Sequence, residues 1–133
     1  MLFRSDYFVG DEGLLVHNDV EPQTWYSYSD FAANSVTGDG IAGHEIWQFA
    51  NQQAQGLSTQ RLVGNASRGN PVLALDDATH ASVTTAQRAI DAVSQTSEEN
   101  ILSNAAILRN QGIPENKIQQ GVDWALKHAK NCR

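Results

Sequence analysis

The sequence predicts a single-domain α+β fold that is mostly helical. Three stretches in its second half space their apolar residues as an amphipathic helix does. A short apolar run, "PVLAL" at 71–75, begins with Pro and is typical of a buried strand. The chain has 133 residues, which is enough for one hydrophobic core and too few for two.

The first 43 residues predict little regular structure. "YFV" at 7–9 and "LLV" at 14–16 flank a Gly-bearing turn, which favours a short N-terminal hairpin. Residues 19–43 are polar, aromatic and Gly-rich, and we expect a loop there with a short helix near 28–34.

The middle of the chain alternates helix and strand signals. Ile46, Phe49 and Ala50 fall at helical spacing, so a helix over 44–55 is predicted, ended by Gly56. Residues 57–69 are expected to form an irregular connector to the strand at 71–75. A helix should follow, capped by Asp76 or Asp77 and running to about residue 94.

The last third predicts a helical hairpin. Thr96 or Ser97 is the expected cap of its first helix, with Glu99 three residues after Thr96 as in a capping box. Gly112 should end that helix. Pro114 stands in the first turn of the next helix, which continues through the Lys-rich end of the chain.

Composition excludes several classes of protein. No run of about 18 apolar residues exists, so no membrane span is expected. The chain has one cysteine, Cys132, which excludes an internal disulfide framework and a Cys-rich zinc site. It also argues against a zinc-dependent deaminase, which needs a pair of cysteines. The formal charge is −6, but residues 1–21 hold five acidic side chains against Arg4 alone. The rest of the chain carries only −2, which permits local binding of phosphate without long-range steering.

The head of the chain carries a family resemblance. "YFVGDEGLLVHND" resembles the end of a HINT domain, the intein-like self-processing module of bacterial polymorphic toxins, with His17 and Asn18 matching its terminal His–Asn pair. The resemblance implies that residues 1–18 are a remnant of that module and that 19–133 are the toxin domain. It also implies a parent toxin polypeptide upstream, delivery as part of that larger toxin, action in the target-cell cytoplasm, and a cognate immunity protein.

A second resemblance concerns the chemistry. Phosphodiester cleavage needs a base to activate water, a cation to stabilise the transition state, and a group that orients the base. The chain contains His44 in "GHEIWQ", Asn70 in "GNPVLAL" and His80 in "DDATH". This order of His, Asn and His resembles that of the HNH or endonuclease VII-like (His-Me finger) nucleases. The resemblance implies a ββα-metal-like finger and a metal-dependent endonuclease, with DNA favoured over RNA. His44 would be the base, Asn70 would orient it, and His80 would bind the metal.

The predicted metal shell departs from the family pattern. Many of these nucleases carry Asp or His directly before the base, where this chain has Gly43, and a further His where it has Thr84. Glu45 or Asp76 could complete the shell around His80, and Mg²⁺ accepts a single protein ligand plus waters; Zn²⁺, Mn²⁺ or Ni²⁺ are alternatives. An exchange of roles, with His44 on the metal and Glu45 as the base, also fits. Candidate ligands of the substrate phosphate are Arg61, Arg68 and Arg88.

Two other functions fit the same residues. A metal-independent RNase toxin could use His44 and His80 as an acid–base pair, and sensitivity to a chelator separates it from the metal enzyme. A non-catalytic helical binding module is the third class, in which His44 is a cap or core group, Asn70 a turn residue and His80 a solvated side chain. Toxicity on expression that is lost with His44→Ala would exclude that class.

Overall fold

The computed structural model describes residues 20–132, and this part of the chain is a mostly helical α+β structure, as predicted. It contains six helices and three strands, and no helix in it is long and apolar enough to cross a membrane. The elements, in chain order, are β1 (Trp25–Ser27), α1 (Tyr28–Asn34), β2 (Ile41–Glu45), α2 (Phe49–Ala54), α3 (Asn65–Arg68), β3 (Pro71–Asp76), α4 (Asp77–Gln87), α5 (Ser97–Asn110) and α6 (Glu115–Asn131).

The three strands form one antiparallel sheet with β3 in the centre, in the order β1-β3-β2. All of β3 except its last residue is buried, which explains why its sequence is apolar at every position rather than alternating. Leu73 and Leu75 face the main core with α5 and α6, whereas Val72 and Ala74 face a smaller cluster that contains Phe31 and Val20.

Strands β2 and β3 and helix α4 form a compact ββα unit. His44 of β2 pairs with Leu73 of β3, and α4 follows β3 with no intervening residue. Asp76 ends the strand and caps the helix, because its side chain accepts a hydrogen bond from the Thr79 backbone N–H. Helix α4 packs against both strands and therefore carries its side chains to the β2 edge of the sheet.

The predicted helical hairpin is confirmed as α5 and α6. Thr96 and Glu99 form the complete capping box at the start of α5. Gly112 follows α5 with φ of +81°, a left-handed conformation that favours glycine and reverses the chain. The strand at 71–75 and the short helix near 28–34 are also confirmed.

Four predictions about the elements are wrong. The stretch 19–43, expected to be a loop apart from one short helix, also contains β1 and the start of β2. Residues 44 and 45 belong to a strand, and the helix predicted over 44–55 begins only at Phe49. Helix α4 ends at Gln87 rather than near residue 94, and a helical turn, α3, lies inside the predicted connector 57–69. In each case, tertiary pairing or packing overrides a local pattern that suits more than one structure. The predicted N-terminal hairpin and the boundary at residue 18 lie outside the described residues.

Candidate active site

A polar cleft of about 220 Å³ lies beside β2, the edge strand of the ββα unit. Its walls come from β2, the start of α2, the loop after α2, and α4. At about 30 Å³ per molecule, the cleft has the volume of roughly seven waters, so a phosphate group fits within it. His44 and His80 both line this cleft although 36 positions separate them in the sequence.

His44 is a core residue that also reaches the cleft. It lies in the middle of β2 and is 2% exposed. Burial, with a smaller contribution from the charge of His80, lowers its pKa to about 3, so the imidazole is neutral near pH 7. Its Nε2 is buried and has no hydrogen-bond partner within residues 20–132. A buried polar atom without a partner lowers the stability of the fold by about 1–3 kcal/mol. Beside a cleft, it marks a place where a ligand or water can complete the hydrogen bonding.

A relay of side-chain amides reaches the other ring nitrogen of His44. The Nδ2 of Asn104 donates to the backbone carbonyl of Asn100 at 2.9 Å, which fixes which end of the Asn104 amide is nitrogen. The Oδ1 of Asn104 therefore accepts from Nε2 of Gln87, at 2.7 Å. The same Gln87 nitrogen lies 3.5 Å from Nδ1 of His44. Helix α5 thus sets the orientation of a cleft residue on α4.

His80 lies on the first turns of α4 and is half-buried. Its Nε2 is 3.1 Å from the carbonyl oxygen of Gly43 in β2. Because a carbonyl only accepts, Nε2 carries the proton and donates it. The contact holds the ring across the edge of the sheet, beside the residue that precedes His44.

Asn70 ties the end of β2 to the start of β3. Its Nδ2 donates to the Trp47 carbonyl at 2.8 Å and to Oε2 of Glu45 at 3.2 Å. The side chain is fully buried, and its Oδ1 has no partner among the described residues. The Asn70 amide therefore fixes the segment immediately after His44. Asn70 was predicted from the sequence to orient His44.

Glu45 and Arg61 form an ion pair at the mouth of the cleft. Nη1 of Arg61 lies 2.7 Å from Oε1 of Glu45, whose side chain is only 11% exposed, against 52% for Arg61. The guanidinium also lies over the rings of Phe49, at 4.8 Å, and Tyr28, at 5.9 Å. Arg61 is thus the cationic side chain of the cleft, and Glu45 already neutralises part of its charge.

The other predicted site residues lie away from the cleft. Arg68 and Arg88 are exposed and do not line it. Asp76 is exposed as well; its carboxylate accepts from the backbone and hydroxyl of Thr79, and these bonds lower its pKa. Of the three arginines proposed for the substrate phosphate, the structure brings Arg61 alone to the two histidines.

The residues of the cleft do not fit a multidentate metal centre. Within residues 20–132, no three His, Cys, Asp or Glu side chains come close enough together to share an ion. Glu45 uses both oxygens on Arg61 and Asn70, and Nε2 of His80 is taken by Gly43. A side chain at Gly43 has no room, because its Cβ would lie 2.6 Å from Val72. The position that carries a ligand in many His-Me finger nucleases is therefore closed here.

Sequence reasoning missed Gln87 and Gln48, which also line the cleft. Gln87 follows His80 by seven residues, so the two lie on the same face of α4, and this spacing could have identified it. Gln48 precedes α2, and its Oε1 accepts from Asn100 and Asn104, at 2.8 and 3.1 Å. Only the tertiary fold brings it to the cleft.

Comparison with known proteins adds no family to this geometry: the chain matches no protein-family model, no curated protein and no solved structure.

Proposed function

We propose that this chain is the nuclease domain of a bacterial toxin used in interbacterial competition, and that it hydrolyses phosphodiester bonds of nucleic acid in the cleft beside β2. The observation that carries the proposal is the meeting of His44 and His80 in one polar cleft of a ββα unit. Their order along the chain, with Asn70 between them, is the order in His-Me finger nucleases. The buried and unpartnered Nε2 of His44 adds to this support.

Each cleft residue has a use in such a reaction. The two imidazoles can move a proton and donate a hydrogen bond, and Arg61 can pair with a phosphate oxygen. Glu45 is held at the cleft by its hydrogen bond from Asn70 and by its ion pair with Arg61. These roles are assigned to the side chains alone, because the described side chains do not form a multidentate ligand set for a metal ion.

The test is incubation of the purified full chain with plasmid DNA and, separately, with total RNA, each with Mg²⁺ and with EDTA. Cleavage of either polymer that is lost in the His80→Ala variant supports the proposal. Equal cleavage by the variant contradicts a role for His80 in the reaction, and the absence of cleavage under all four conditions contradicts the proposal. Inhibition by EDTA would support the metal dependence that the resemblance predicts.

A second candidate is a metal-independent RNase in which His44 and His80 act as an acid–base pair. The contact between His80 and the Gly43 carbonyl favours it, since that contact occupies one of the two nitrogens with which the ring could bind a metal. RNA cleavage that continues in EDTA, with DNA left intact, would select this candidate over the first.

The toxin proposal also includes an immunity protein. If that partner covers the cleft, its contact surface should present carboxylates to Arg61, because Arg61 is half-exposed and already binds one carboxylate. A pull-down with the protein encoded beside this chain, repeated with Arg61→Gln and with the exposed Arg88→Gln as the control, tests it. Loss of binding in the Arg61 variant alone is the expected result, and equal binding by both variants contradicts a partner that covers the cleft.

A further inference from the structure

The two imidazoles of the cleft differ in their access to water. His44 is 2% exposed and its Nε2 is buried, whereas His80 is half-buried. A base that activates water must lie within hydrogen-bond reach of that water. The half-buried ring of His80 is open to such a water. The enclosed Nε2 of His44 can meet only a group that enters the cleft which His44 lines.

Hydrogen bonds also set the proton on each ring. Nε2 of His80 donates to the Gly43 carbonyl, which leaves its Nδ1 with a lone pair. Nδ1 of His44 faces the NH₂ group of Gln87, so it presents a lone pair there and carries its own proton on Nε2. Asn104 fixes that orientation of Gln87 from α5. His44 therefore holds an N–H donor that lacks an acceptor within residues 20–132.

We infer that His80, and not His44, is the base: Nδ1 of His80 accepts the proton of the water, and the Nε2–H of His44 donates a hydrogen bond to the substrate phosphoryl group. The inference rests on the proposed nuclease function. Gln87 and Asn104 are positioning residues, because Gln87 sets the tautomer of His44 and Asn104 sets the orientation of Gln87.

The step balances with water as the nucleophile. The water oxygen forms a bond to phosphorus as its proton moves to Nδ1 of His80. The bond from phosphorus to the leaving oxygen breaks with its electron pair on that oxygen, which takes a proton from solvent. His80 then returns its proton to solvent. The N–H of His44 stabilises the charge that develops on a non-bridging oxygen and keeps its proton throughout.

Conservative variants separate the two roles. A glutamine side chain can donate a hydrogen bond but cannot serve as a base near pH 7. His44→Gln should therefore stay within about tenfold of the wild-type cleavage rate, whereas His80→Gln should lose ~10²–10⁴-fold. Added imidazole should restore cleavage to His80→Ala and not to His44→Ala. His128→Gln is the control, because His128 contacts the Ala66 carbonyl and does not line the cleft.

The opposite pattern would overturn the inference: a larger loss in His44→Gln than in His80→Gln, with imidazole rescue at position 44. Unfolding curves of each variant show whether a loss of rate follows from loss of the fold. If His44→Gln does not fold, the decision passes to the tautomer of the wild-type protein, which needs no substrate.

Nitrogen-15 NMR of the imidazoles at pH 7 reads that tautomer directly. We expect a protonated Nε2 and an unprotonated Nδ1 for His44. In Gln87→Glu a carboxylate replaces the donor, so the proton should move to Nδ1. Gln120→Glu adds the same charge on an exposed part of α6 and should change nothing. A proton on Nδ1 of His44 in the wild type overturns this inference alone, whereas failure to cleave any nucleic acid overturns the proposed function and both catalytic roles with it.

Discussion

His44 and His80 should differ in what they contribute to stability. The side chain of His44 is almost entirely buried, so His44→Ala leaves a cavity and removes the contact with Gln87. We expect a loss of about 2 kcal/mol in the free energy of unfolding, within the range for buried side chains. His80→Ala should cost under about 1 kcal/mol, because it removes one hydrogen bond from a half-buried ring.

Urea unfolding at pH 7 measures both losses. The larger loss at position 44 also means that an inactive His44→Ala is informative about catalysis only at temperatures where the variant is folded. A smaller loss at position 44 than at position 80 would contradict the burial of His44 in the core.

The pH dependence of stability provides a second test of that burial. The pKa of His44 is about 3 in the folded chain, against 6.5 as its ordinary value. Below pH 6.5 the unfolded chain binds a proton that the folded chain does not. The contribution of neutral His44 to the free energy of unfolding is therefore fully present above pH 6.5 and is lost as the pH falls toward 3. The slope should approach about 1.4 kcal/mol per pH unit between these values.

Other groups of the chain also bind protons as the pH falls, so the measured quantity is a difference between two proteins. Urea unfolding of the wild type and of His44→Gln should be compared from pH 7.5 to 4.5. The wild type should lose more stability than the variant over this range, since glutamine does not titrate. Parallel curves would show that His44 gains its proton as easily in the folded chain as in the unfolded one.

At the level of elements, β1 and α6 pack so closely that a glycine is required. The Nε1 of Trp25 donates to the Lys117 carbonyl at 2.8 Å, and its ring lies against Gly121. A Cβ at position 121 would fall 2.1 Å from the ring. Gly121→Ala should therefore destabilise the protein by about 1–3 kcal/mol, although alanine favours a helix by about 1 kcal/mol over glycine.

A double-mutant cycle checks the cause of that effect. In a Trp25→Leu background the obstructing ring is gone, and Gly121→Ala should be neutral or stabilising in thermal unfolding. If the alanine costs as much in that background as in the wild type, the loss comes from a source other than Trp25.

Elements whose signals are local could be predicted from the sequence, and those fixed by pairing could not. Helix α5 carries its own start in Thr96 and Glu99 and was predicted with its cap. Helix α6 was predicted from its apolar stripe, although Pro114 precedes the helix rather than lying in its first turn. Strand β2 has the sequence Ile-Ala-Gly-His-Glu, in which no alternation is visible, and it is a strand because β3 pairs with it. Its misassignment placed His44 at an exposed helix start rather than in the core.

The candidate site follows the same division. The order along the chain was sufficient to single out His44 and His80, which line one cleft. It also singled out Asn70, which does not line the cleft but contacts Glu45 and the Trp47 carbonyl. The three arginines were chosen because they flank the motif in sequence, and only Arg61 lines the cleft. Of the proposed metal ligands, His80 and Glu45 line it and Asp76 does not. The site also includes hydrogen bonds from Asn100 and Asn104 of α5 to Gln48. These contacts depend on the packing of α5, which no local sequence pattern encodes.

For the molecule as a whole, the boundary between the two sequence modules can be tested by truncation. The resemblance to a HINT domain assigns residues 1–18 to a different module, so a chain that begins at residue 19 should fold and keep its activity. Val20 defines how far truncation can go: it is 2% exposed and packs with Phe31, Val72 and Ala74 against the outer face of β3. Just beyond it, the Gln23 N–H donates to the Ala74 carbonyl at 2.6 Å, and the Ala74 N–H donates to the Thr24 carbonyl.

A chain that begins at residue 19 should therefore unfold cooperatively, with a midpoint within a few degrees of the full chain. One that begins at residue 25 loses the Val20 side chain and the backbone bonds of residues 23 and 24. We expect it to be less stable by about 3 kcal/mol, from one buried valine and two hydrogen bonds. Val20→Ala in the full chain removes only the packing of that side chain and should lower the free energy of unfolding by about 1–2 kcal/mol. If removal of residues 1–18 abolishes cooperative unfolding, those residues belong to the same folding unit as the cleft, and the assignment of two modules is wrong.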